Sequence, residues 1–62
     1  MKTSEAERKL KRERCYFMSH AGNHDWWYSP NTKKKFQVPR HKSQELTPKT
    51  KESIEKHSGV KL

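Results

Sequence analysis

The aromatic block Trp26-Trp27-Tyr28 constrains this chain more than anything else in it, because turn chemistry closes it off on both sides. Ala21-Gly22-Asn23 stands before it and Ser29-Pro30-Asn31-Thr32 after it. Glycine accepts positive φ without steric cost, and proline, asparagine and serine favour turns. Three β-favouring residues between two such stops predict a short strand. Cys15-Tyr16-Phe17-Met18 before the first turn and Phe36-Gln37-Val38 after the second have the same character, and Pro39 ends the latter. Three strands at this spacing form an antiparallel meander.

The flanks read as helices. Ser4-x-x-Glu7 has the form of a capping box, and Glu5/Lys9 and Glu7/Lys11 are oppositely charged pairs four residues apart. The apolar stripe there is thin, little more than Ala6 and Leu10. Downstream, Thr47-Pro48 is an N-cap and first-turn pair, Ile54 points inward, Glu52/Lys56 points outward, and Gly59 is placed to close the helix. The order α-β-β-β-α implies an α+β fold of one domain over residues 1–62. Both helices cover one face of a three-stranded antiparallel sheet, and the other face is open. Only 17 of the 62 residues are apolar, so the core is small and marginal stability is expected.

Composition excludes several classes. No stretch approaches the ~20 apolar residues of a membrane span. Residues 1–7 lack the apolar core of a secretory signal, and the single Cys15 provides no disulfide framework, so a cytoplasmic location is expected. Fifteen Lys and Arg against seven Asp and Glu give a net charge of +8. Within residues 21–43, five bases face one acid, Asp25. A polyanion is the default partner for such a surface.

Chemistry concentrates in the same segment. His24 follows a tight turn and begins the Trp-rich strand, half exposed on a rigid hairpin. Histidine both takes and gives protons near neutrality. The plain alternative is an idle surface histidine. Cys15, His20, His24 and His41 together invite a zinc reading, but no close ligand pair such as CxxC is present. His57 stands where a helix C-terminus favours a cation. Lys33-Lys34-Lys35, with Arg40, His41 and Lys42 after it, is a candidate phosphate-binding surface. Of Trp26, Trp27 and Tyr28, at least one faces the core and at least one can be exposed, because adjacent strand residues point to opposite faces.

Taken together, Met1-Lys2-Thr3-Ser4-Glu5, Gly22-Asn23-His24-Asp25, Trp27-Tyr28-Ser29-Pro30, Lys34-Lys35-Phe36 and Val38-Pro39-Arg40-His41 resemble the HicA family of bacterial toxin mRNA endoribonucleases. The likeness continues through Ser53-Ile54-Glu55-Lys56 and Gly59-Val60, so it spans essentially the whole chain. It implies a double-stranded-RNA-binding-like fold and cleavage of mRNA by one catalytic histidine, here His24, with no metal or other cofactor. It also implies a HicB-type antitoxin that masks the site, with operator DNA reached only through that antitoxin. Lys33 stands where the family often has glycine. Ala6 and Arg8 stand where larger apolar residues are common, and Lys51 where leucine is expected. These departures thin the core. Two competing readings share the fold: an RNA-binding module without catalysis, and an inactive chain that only pairs with an antitoxin.

Overall fold

The computed structural model describes residues 1–62. The elements run α1 (Thr3–Arg12), β1 (Tyr16–Ala21), β2 (His24–Ser29), β3 (Lys34–Pro39) and α2 (Pro48–Ser58). The three strands form an antiparallel sheet in the order β1-β2-β3, as the alternation of aromatic runs and turns predicts. Each strand extends beyond its aromatic or apolar centre, because pairing continues to the turns. Gly22, at φ 62°, and Asn23 close the β1–β2 hairpin in two residues.

Burial along β2 follows the two-residue strand period. Asp25, Trp27 and Ser29 are buried, Trp26 and Tyr28 are half-buried, and His24 is exposed. Phe36 and Val38 continue the buried face on β3. Nine apolar residues make the core: Trp27, Phe36, Val38 and Cys15 from the sheet side, Ala6 and Leu10 from α1, Ile54 from α2, and Leu46 and Val60 from connecting segments. No residue of β1 is buried. The strand is also irregular, with a bulge between Phe17 and Ser19 against β2.

α2 packs on β3 and β2. Thr47 caps its start, accepting the Thr50 N–H at 3.2 Å. Its end is tied to the β2–β3 turn: Ser29 Oγ donates to the Ser58 carbonyl at 2.5 Å and Thr32 Oγ1 to the His57 carbonyl at 2.6 Å. Gly59 then turns left-handed at φ 73°, where an added Cβ would stand 2.9 Å from the Thr32 methyl. Glycine is needed there for both conformation and space.

α1 begins differently from the expected Ser4–Glu7 capping box. Its N-cap is Lys2, whose N–H donates to Glu5 at 3.3 Å. The reason lies 41 residues along the chain. The Thr3 N–H and hydroxyl both donate to the Gln44 carbonyl, at 2.9 and 3.0 Å, and the Leu46 N–H donates to the Met1 carbonyl at 2.9 Å. This pairing holds residues 1–2 extended and fixes where the helix starts. Nor do Glu5/Lys9 and Glu7/Lys11 form ion pairs. Glu7 is buried and bonds Lys42, while Lys9 reaches the Leu62 carbonyl at 3.3 Å. Tertiary contacts have taken Glu7 and Lys9 from their local pairs, and Glu5 serves the helix cap instead.

Candidate functional site

The β2 alternation that buries Trp27 puts His24, Trp26 and Tyr28 on the open face. His24 is the first residue after the hairpin turn, opposite Ala21 on β1 and Pro39 on β3. The Arg40 N–H donates to the Asn23 carbonyl at 3.3 Å, closing the sheet at this end. His24 lines an open groove of about 420 Å³ with Gln37 and Pro39 of β3 and Lys49, Thr50 and Ser53 of α2. No carboxylate lines that groove. Its helical wall is the first two turns of α2, where the helix dipole presents its positive end.

The other histidines are committed elsewhere. His20 Nδ1 lies 2.7 Å from Asp25 Oδ1, and its ring packs 5.0 Å from that of Phe17. His20 pairs with Asp25 across the strands, and that position faces away from His24. His57 Nδ1 donates to the Ser53 carbonyl at 2.8 Å, the local bond of a last-turn histidine. His41 is exposed in the loop after β3. His24 alone joins an open groove to a ring without a hydrogen-bond partner in the chain. Either ring nitrogen is therefore available to a substrate proton.

The basic residues divide into two groups. Lys33 sits in the β2–β3 turn, and Lys34 and Lys35 open β3; all three are exposed. Lys35 lies on the open face, its Nζ 5.1 Å from the centre of the Trp26 ring. Arg40 and Lys42 instead turn to acids beneath the sheet. Arg40 Nε is 3.9 Å from Asp25 Oδ1, and Lys42 Nζ bonds Glu7. Of the six residues expected to bind RNA, those two already have a partner in the chain. Lys49 was missed by the sequence reading, although it stands in the groove with His24. Its place right after Thr47-Pro48, in the first turn of an expected helix, was the one local signal, and it did not connect Lys49 to His24.

Cys15, His20, His24 and His41 do not converge, and no group of three or more metal-ligating side chains is assembled. Cys15 is buried in the core. Burial pushes its thiol pKa up, a hydrogen bond with Ser29 pulls it down, and the nearby Glu13 charge raises it further.

A family model described as HicA toxin of bacterial toxin-antitoxin matches residues 3–60 of the chain. Neither the curated proteins nor the solved structures gave a match.

Proposed function

The chain belongs to the HicA toxin family of bacterial toxin-antitoxin systems, and on that premise we propose that it is a metal-independent endoribonuclease that cuts mRNA at His24. The observation that carries this reading is the unpartnered, exposed His24 ring in a groove that has Lys49 and the start of α2 on its wall and no acid.

The chemistry uses the RNA's own 2′-hydroxyl. His24 takes its proton, O2′ attacks the adjacent phosphorus, and the P–O5′ bond breaks. The leaving oxygen acquires a proton, from His24 or from water, and the products are a 2′,3′-cyclic phosphate and a 5′-hydroxyl. Negative charge grows on the non-bridging oxygens as the bond forms. Lys49 and the N-terminus of α2 supply positive potential on that side. Lys33, Lys34 and Lys35 extend it along the RNA backbone.

A HicB-type antitoxin is the proposed partner, silencing the toxin by covering the His24 groove. Its expected charge is acidic, opposite to the net +8 here.

The test is cleavage of a single-stranded mRNA fragment by the purified chain and by His24→Ala. General acid–base catalysis accounts for about 10²–10⁴-fold in rate. The substitution should cost at least that much, abolish growth arrest on induction, and leave the fold intact. Cleavage by the parent chain should survive EDTA and leave cyclic or 3′-phosphate ends. Full activity in His24→Ala would refute the assignment.

A further inference from the structure

The sheet face left open by the helices is not a neutral surface. On β2 it carries His24, Trp26 and Tyr28 in one line, at every second residue. Tyr16 of β1 lies beside Tyr28, with ring centres 5.5 Å apart and planes tilted by 42°. Lys35 of β3 reaches over Trp26. Asp25 is the only acid in the three strands, and it is buried on the opposite face. The face therefore offers rings and positive charge, and the row of rings ends at His24.

Resting on the endoribonuclease reading above, we propose that this face is a single-stranded RNA track, with bases stacking on Trp26 and on the Tyr16–Tyr28 pair so that a neighbouring phosphodiester is held at His24. Two features favour single-stranded RNA over duplex, and a third favours any phosphate chain. Alternate residues of a strand lie about 6.8 Å apart. Consecutive bases of a stacked duplex strand advance only ~3.4 Å, so consecutive bases can seat on consecutive rings of this row only when they are drawn apart, as in a flexible single strand. Bases that are already unpaired have free faces for aromatic rings, whereas those of a duplex are stacked on one another. The absence of carboxylates removes the repulsion a phosphate chain would meet. Cross-strand aromatic pairs also stabilise sheets, so the test separates stability from binding.

Binding is measured with the His24→Ala chain, which holds RNA without cutting it. The probes are a labelled mixed-sequence single-stranded RNA 10-mer and a 10-base-pair RNA duplex. Trp26→Ala and Tyr28→Ala should each weaken single-strand binding by ~5- to 150-fold, the range for loss of one stacked base. Trp26→Phe should restore most of it, and Lys9→Ser on α1 should change it less than twofold. Thermal melting checks that each variant is folded. Should an alanine variant unfold, Trp27→Phe supplies the second readout. It removes a buried indole whose N–H has no acceptor, leaving Trp26 as the reporter. Single-stranded RNA should then quench the remaining emission, and duplex should not.

Unchanged affinity in folded Trp26 and Tyr28 variants, or no quenching by the single strand, would overturn the proposal. So would duplex binding as tight as single-strand binding. Variants that lose antitoxin but keep RNA would assign the face to the protein partner, which also overturns it. A chain that binds through Trp26 yet never cleaves would sink the endoribonuclease reading and leave the track standing.

Discussion

Asp25 and His20 face each other across the β1–β2 pair, with His20 Nδ1 2.7 Å from Asp25 Oδ1, and the carboxylate is buried while the imidazole is 60% exposed. Arg40 approaches the same oxygen at 3.9 Å. Replacing His20 removes the closest partner of a buried carboxylate. His20→Ala should therefore destabilise the fold by about 1–3 kcal/mol, a cost of stranding a buried acceptor. Cleavage measured below the melting transition should stay within several-fold of the parent. Loss as deep as that of His24→Ala would make His20 part of the chemistry. Urea denaturation and a cleavage assay on the same sample decide between the two.

Lys42 is expected to behave as a structural residue. It bonds Glu7, whose side chain is only 6% exposed and whose second carboxylate oxygen has no partner. Lys42→Ala should lower stability by about 1–3 kcal/mol, and Glu7→Leu in the same chain should recover most of it by removing the stranded charge. A double-mutant cycle on melting temperatures measures the coupling.

The lysine run should act in the opposite way. Lys33, Lys34 and Lys35 are exposed and have no acidic partner. Replacing all three by Ser should leave stability nearly unchanged. It should also flatten the salt dependence of RNA binding by a slope of about 2, at ~0.7 per phosphate contact on a single strand. An unchanged slope would move the phosphate contacts elsewhere.

Two residues hold left-handed backbone without being glycine: Arg14 at φ 72° and Lys33 at φ 57°. Arg14 follows the end of α1, and the Cys15 N–H beyond it donates back to the Leu10 carbonyl at 2.9 Å, a helix ending that glycine usually occupies. Left-handed backbone costs roughly 1–2 kcal/mol for a side-chain-bearing residue, against which glycine loses more chain entropy. Arg14→Gly and Lys33→Gly should each stabilise by about 0.5–1 kcal/mol, read as a rise of several degrees in Tm.

Cys15 sets an alkaline limit. Its folded pKa is raised above the ordinary thiol value of 9.0, chiefly by burial. The folded chain therefore keeps its thiol proton where the unfolded chain has lost it. The contribution is fully present below the unfolded value and fades as pH rises from about 9 through the folded value. Denaturation at a series of pH values should show a shallower alkaline decline in Cys15→Ala than in the parent, although the variant is less stable at neutral pH. Iodoacetamide should modify native Cys15 far more slowly than the unfolded chain.

The order of elements was legible because each boundary had a local cause: Gly22-Asn23, Ser29-Pro30, Thr47-Pro48 and Gly59. Strand alternation separated neighbouring aromatics of β2 onto opposite faces, but that Trp27 and not Trp26 turns inward was fixed only by packing under the helices. The start of α1 was not legible, because it is set by hydrogen bonds from residues 1–3 to Gln44 and Leu46, which no local pattern encodes. The same holds for charge. Glu7 read as a surface partner of Lys11 yet lies buried against Lys42, and Arg40 and Lys42 read as free bases yet face acids. Lys49 joined His24 only once α2 was packed along β3.

The bulge in β1 bears on how this chain behaves when crowded. β1 ends the sheet, so its outer backbone groups lack a strand partner, and Tyr16, Phe17 and Met18 beside them are roughly half exposed. A flat edge of that composition is a template for chain-to-chain β-pairing. Here the kink at Met18 breaks the regular spacing that an incoming copy would need, and two copies approaching edge to edge each bring a charge of +8. The second safeguard is screened by salt and the first is not. Concentrated solutions are thus best kept at low ionic strength, and a substitution that straightened the strand would leave repulsion as the only defence against fibres.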